Sequence, residues 1–206
     1  DLQRLGAVIV EPKVPDLGAR SAALYDANVF ETEAAMNNYL AQHPNAPVKT
    51  LKDILLSGKV VPSRTRTLMN VVGHSTDEPG YLQMRLARDE LIKSVLAAMA
   101  DQQLDAIAYA TFDYPVPSIP ADALTLSTLE SAGPGNNRRL SPVLGFPAIT
   151  VPAGFTAEGL PVGIELMGRE FTESLLLKLA YAYEQGTRHR RPPATTPALA
   201  SEAAGR

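Results

Sequence analysis

The sequence predicts an α/β fold in which a mixed β-sheet is flanked by helices. Three observations carry this expectation. Short apolar runs bounded by Gly and Pro recur at residues 7–10, 104–109, 148–151 and 162–167, the pattern of buried strands. Two longer segments, beginning near residues 78 and 172, repeat their apolar residues at helical spacing instead. The order strand, long helix, strand over the first two runs suggests a crossover unit in a mostly parallel sheet.

Taken in order, residues 1–5 read as the end of a helix, with Gly6 as its stop. Ala7-Val8-Ile9-Val10 follows as a strand candidate, closed by Pro12, Pro15 and Gly18. From about residue 19 to residue 40 the composition turns helical. Leu24, Ala27, Phe30 or Glu31, Ala34 and Ala35 give one stripe there, and Pro44 and Pro47 end it. Thr50 is placed to cap a short helix over residues 51–56, stopped by Gly58 and Pro62. Residues 64–77 are polar and carry no clear period.

A long helix starts near Glu78-Pro79, since proline is tolerated in a first turn. Tyr81 or Leu82, Leu86, Leu91, Val95, Leu96 and Met99 lie close to one face. Glu90 and Lys93, or Arg85 and Asp89, sit at helical spacings on the other. Residues 104–109 form the second strand candidate. Residues 111–135 are irregular and rich in Pro, Ser and Asp, and a loop of that length usually lines or covers a site. The runs at 148–151 and 162–167 are joined by a hairpin-like connection containing Gly154 and Gly159. Thr172 then caps a helix with Leu175, Leu176, Leu179, Ala180 and Tyr183 on its apolar face and Gly186 as its stop. Residues 191–206, dominated by Pro, Ala and Thr, are expected to be a disordered tail after one folded part over residues 1–190.

At about 150 residues per domain, 206 residues make one domain or one and a fraction, and 45% apolar residues suffice for a sizeable core. A net charge of −3 argues against nucleic acid as a partner, and no apolar stretch approaches the ~18 residues that span a membrane. Without cysteine there is no disulfide framework, thiol nucleophile or thiolate metal site. The chain opens Asp1-Leu2-Gln3-Arg4, with no initiator methionine and no signal region, and is expected to be cytoplasmic.

Few residues carry chemistry by themselves. Gly73-His74-Ser75-Thr76-Asp77 resembles a nucleophile elbow, but Asp77 stands where the sharp turn needs a second glycine. A Ser-x-x-Lys pair and the glycine-rich phosphate loops do not occur. The three histidines, His43, His74 and His189, are far apart in sequence and form no metal-ligand spacing. Glu165 sits on the strand face opposite Ile164 and Leu166, so solvent or a polar network is its expected surrounding. Arg188-His189-Arg190-Arg191 is explained by favourable placement after a helix C-terminus. One region differs: the loop Gly133-Pro134-Gly135-Asn136-Asn137-Arg138-Arg139, rich in glycine and amides, feeds a buried strand. It reads either as a substrate or oxyanion wall or as a connection needing glycine torsions, and the second reading is the more economical.

The stretch Gly145-Phe146-Pro147-Ala148-Ile149-Thr150-Val151-Pro152-Ala153-Gly154-Phe155, followed by Gly159-Leu160-Pro161-Val162-Gly163-Ile164-Glu165-Leu166-Met167-Gly168-Arg169, closely resembles the C-terminal signature of the amidase signature family. Glu173, Leu175, Leu176, Ala180, Tyr183 and Glu184 continue the resemblance. Upstream, residues 5–10 and 105–111 look like two of the family's strands, with Ala110 replacing a usual proline. The resemblance implies the C-terminal part of the amidase signature fold. It implies an amide hydrolase in which a lysine takes a proton through a serine on a cis peptide and a second serine attacks the carbonyl, while backbone amides hold the oxyanion. The serines of that mechanism lie in a Gly/Ser-rich segment that has no counterpart here, so none of the catalytic residues is expected within this chain. The family's layout places Asn136, Asn137 and Arg138 nearest the substrate funnel. It implies no metal or other cofactor. The expected partners are the N-terminal half of the same amidase, a small-molecule amide in the complete enzyme, and further copies in a homo-oligomer. The alternative is a non-catalytic binding or assembly module built on the same partial fold, whose open strand edges favour association. An independent hydrolase using Ser75 and His74 ranks last.

Overall fold

The structure is a computed structural model describing residues 1–24, 28–112, 114–115, 118–119, 121–122 and 137–193. Three strands, Ile107–Ala110 (β1), Ala148–Phe155 (β2) and Pro161–Met167 (β3), form one sheet in the order β1-β3-β2. The expected hairpin is present: β2 and β3 pair antiparallel, and the ladder shifts between Pro152 and Gly154. Pro152 has no N–H to give to the ladder, and Gly154 accepts the φ of +133° that the irregularity requires. β1 also pairs antiparallel with β3, so the described pairings are not the parallel ones suggested by the strand–helix–strand order. The α/β class itself is observed.

The described residues fall into two compact units. The sheet belongs to one, built from Asp1–Val10, Ala106–Thr111 and the residues after Phe146. Its core lies between one face of the sheet and the helix Glu173–Thr187, where Val151 and Leu166 meet Leu176, Ala180 and Tyr183. Each fully covered side chain of this size stabilises the unit by about 1.5–3 kcal/mol. The predicted apolar face of this helix is therefore the packed one. Gly186 does not stop the helix, which runs to Thr187 and ends where Arg188 turns left-handed at φ +53°. Gly186 instead lets the side chain of Leu5 pack close against the helix, where a Cβ would make that side chain shift. Residues 1–5 close one turn, Leu5 N–H to Asp1 O at 2.9 Å, and the turn ends at Gly6 with φ +94°.

The strand expected over residues 7–10 does not form. Ala7 N–H bonds back to Leu2 O, and beyond it the run pairs with no strand among the described residues, leaving Val8 89% exposed. Apolar side chains alone do not hold an extended segment in a sheet. A ladder of N–H and C=O partners does, and this run has none.

The second unit comprises Glu11–Asp105 and Phe112–Phe146. It carries α1 (Leu17–Leu24), α2 (Asn28–Ala41), α3 (Leu51–Leu56), α4 (Pro62–Met69), α5 (Pro79–Asp101) and α6 (Leu140–Leu144); the helix described above is thus α7. The single helix expected over residues 19–40 is described as α1 and α2. Thr50 caps α3 through a capping box: its hydroxyl accepts from Asp53 N–H at 3.0 Å while Asp53 accepts from Thr50 N–H at 3.0 Å. Pro62, expected as a stop, opens α4 instead, because a first-turn residue has no helical partner for its missing N–H. In α5, Leu91, Val95 and Met99 are buried at four-residue spacing, whereas Leu82 and Leu86 of the expected stripe are exposed. The first turns of α5 are held by Tyr81, which donates to Glu31 at 2.6 Å and meets the edge of Phe30. No helix among the described residues is long and apolar enough to cross a membrane.

Candidate functional site

Asn136, the first of the expected funnel residues, lies outside the described residues, as do residues 194–206 of the expected tail. Asn137 and Arg138 fall in a 3-10 turn, Asn137–Arg139, that leads directly into α6. For Arg138 only the backbone is described; Asn137 is half-buried. What fixes this segment is on its far side. Leu140, Val143, Leu144 and Phe146 are buried, Ser141 O–H donates to Phe146 O at 2.7 Å, and Gly145 ends α6 at φ +76°. Arg88, a residue of α5 without any sequence signal, donates through Nε to Val143 O at 2.6 Å. Its guanidinium lies close to where a Cβ on residue 145 would stand, 2.7 Å from Nη2, so Gly145 leaves room for it while the φ of +76° is what favours glycine there. The positive guanidinium at the C-terminus of α6 is favourable there.

The sheet unit carries the other arrangement. Tyr109, Glu165 and Thr150 stand opposite one another on β1, β3 and β2, one row across all three strands. Strand alternation puts them on the face away from Leu166 and Val151. Tyr109 O–H donates to Glu165 Oε1 at 2.6 Å and Thr150 O–H donates to Oε2 at 3.2 Å. Thr111 continues the row, its hydroxyl 3.5 Å from that of Thr150. Burial, aided by the hydrogen bond to Glu165 and its charge, pushes the Tyr109 phenol far above its ordinary range, so it acts as a fixed donor. Glu165 is the one buried charged residue among the described residues, at 7% exposure. Of the two surroundings expected for it, the polar network is the one found. Thr150, Glu165 and Tyr109 all lie in the stretches that carry the family resemblance, but only the strand register brings the three together.

The elbow-like segment is occupied differently. His74 Nδ1 contacts Glu78 at 3.1 Å, Ser75 N–H donates to Glu78 Oε1 at 2.8 Å, and Ser75 Oγ accepts from Asp77 N–H at 3.2 Å. No hydrogen bond joins Ser75 to His74 among the described residues, so the pair lacks the contact a serine nucleophile needs from its base. His43 is held by Tyr39 O at 2.8 Å and His189 by Asp1 at 2.8 Å. Among the described residues no group of three or more His, Cys, Asp or Glu could hold a metal ion.

The Amidase family profile matches residues 1–177. A glutamyl-tRNA(Gln) amidotransferase subunit from Ralstonia pickettii (strain 12J) is 28% identical over 220 residues, covering 94% of this chain and 41% of that protein. Its counterpart from Moorella thermoacetica is 56% identical over a shorter stretch of 50 residues, 24% of this chain and 10% of that protein. Among solved structures, native peptide amidase from Stenotrophomonas maltophilia superposes with a TM-score of 0.75 at 30% identity, covering 95% of this chain and 39% of that one. Matched over most of its own length, the chain thus spans about two-fifths of the Ralstonia and Stenotrophomonas proteins. A profile match over most of the sequence and a fold shared with a solved peptide amidase agree: the chain belongs to the amidase signature family.

Proposed function

We propose that this chain is the C-terminal portion of an amidase that hydrolyses a carboxylic acid amide, with the Ser–cis-Ser–Lys set supplied by residues beyond this 206-residue sequence. The observation that carries the reading is the extent of the match: an amidase profile over residues 1–177, against about two-fifths of each long relative. The arrangement at His74 and Ser75 supports it from the other side, since the most nucleophile-like segment of the chain is engaged with Glu78.

In this reading the N-terminal half of the same amidase is the partner. Asn136, Asn137 and Arg138 are the residues assigned to binding the small-molecule amide, and the contact of Arg88 with Val143 O, just after them in the chain, supports a fixed backbone in α6. The unpaired apolar run at residues 7–10 supports the need for a partner, because Val8, Ile9 and Val10 are all exposed. Exposed Phe171, Leu177 and Tyr181 support self-association of the complete enzyme.

Co-expression of the chain with the N-terminal segment of a peptide amidase, assayed by ammonia release from a panel of primary amides, tests the proposal. Hydrolysis is expected from the pair and not from the chain alone. Hydrolysis by the lone chain would sink it, and tight association without hydrolysis would favour a binding module.

A further inference from the structure

Two of the three hydroxyl protons of the sheet-face row go to one carboxylate. A carboxylate only accepts, so the protons of Tyr109 and Thr150 are both used on Glu165. The 3.5 Å contact between the hydroxyls of Thr150 and Thr111 then leaves Thr111 as its donor. Every remaining valence of the row is an acceptor: lone pairs on Thr111 Oγ1, Tyr109 Oη and Glu165. Among the described residues, no Lys, Arg or His makes an ion pair with Glu165. A carboxylate that is 7% exposed and held only by neutral hydroxyls is costly until a cation meets it. Access is from the Thr150 side. Thr150 is exposed, Thr111 is half-exposed, and Gly163 beside them has no side chain, a Cβ there falling 2.7 Å from Thr150 Cγ2.

We infer that the Tyr109–Glu165–Thr150 row, extended by Thr111, is a binding site for the ammonium head of a small organic cation. Glu165 supplies the counter-charge, and Thr111 and Tyr109 accept the remaining N–H groups. Joined to the proposed hydrolysis this names a substrate class, amides that also carry an ammonium group; it rests on that reading for the amide alone, not for the cation.

The test reads binding rather than turnover, so its outcome is independent of whether the family's hydrolysis is recovered. The full chain is titrated with butylammonium, butyramide and butyrate at constant ionic strength while the backbone amide signals of Tyr109, Thr150 and Glu165 are followed by NMR. Butylammonium is expected to shift them saturably, with the two isosteres at least about tenfold weaker, as loss of one charge-assisted hydrogen bond implies. Glu165→Gln, which keeps an acceptor for Tyr109, is expected to lose about tenfold or more for butylammonium. Equal binding of butyramide to the unaltered chain overturns the inference without any variant, and so does an unchanged affinity in a folded Glu165→Gln. Repeating the titration with the N-terminal segment bound separates the two sources of the cation. Persistent binding supports a small molecule, and abolished binding means a polypeptide side chain fills the site and overturns the substrate assignment.

Discussion

Residues 7–10 and the strand β3 carry the same local signal and meet opposite ends. Both are short apolar runs bounded by Gly or Pro, yet β3 is hydrogen-bonded on both sides and Val8 is 89% exposed. The difference lies in what each run has beside it. β3 is joined to β2 by a tight connection that delivers a ladder partner within the same hairpin, and β1 closes its other edge. Residues 7–10 have no such neighbour among the described residues. Strand propensity selects segments able to pair; pairing itself is decided by a second segment. The widest contrast this predicts is between truncations in the two runs. Leu166→Ala, at a 4%-exposed position packed under α7, is expected to cost about 2–5 kcal/mol in urea unfolding. Val8→Ala is expected to stay within about 0.5 kcal/mol. A comparable loss at Val8 would mean that the run is covered in solution and would erase the contrast.

The same rule explains what is legible in the sequence. The hairpin, the face of α7, the cap at Thr50 and the start of α5 each depend on residues close together in the chain, and all are readable. Pro62 and Gly186 mislead because each has two uses, and the choice between them depends on a neighbour: an unneeded N–H at the start of α4, the side chain of Leu5 against α7. Of the candidate site, the family resemblance singles out residues 136–138, but neither Arg88 nor the sheet-face row is readable. Arg88 reaches Val143 across 55 residues, and Tyr109 reaches Glu165 across 56. Register is invisible until the strands are paired.

Long-range polar contacts therefore give the next test, one step down in size. Tyr109→Phe removes one of two donors from a buried carboxylate and is expected to destabilise by about 1–3 kcal/mol. Lys93→Met breaks an ion pair of nearly equal length, 2.7 Å to Glu90, but both partners are well exposed. Its expected effect on the melt is close to nil, because solvent screens the exposed pair. Thermal melts of the two variants side by side decide whether burial, rather than length, sets the worth of these contacts. Equal losses would remove that distinction. Thr50→Ala follows at about 1 kcal/mol, measured the same way, since one hydroxyl satisfies one otherwise free N–H at the start of α3.

The smallest effect belongs to the turn from His74 to Glu78, where the Glu78 carboxylate is held by neighbours in sequence. Ser75 N–H, and then His74, hold the Glu78 carboxyl below the usual carboxylate range. A carboxyl depressed in the folded state adds stability above its unfolded value, about 4.3, and loses it as pH falls through the lower folded value. Because Glu78 is solvent-exposed, global stability is expected to move little over that window. The local readout is sharper: the Ser75 amide signal should follow the titration of Glu78, with a midpoint below the ordinary carboxylate value. In Glu78→Gln that titration should vanish while the melting curve hardly changes. A midpoint at or above the ordinary value would mean that the turn is open in solution. Even contacts between neighbours in sequence would then need support from elsewhere in the fold, and the contrast between residues 7–10 and β3 could no longer rest on the ladder alone.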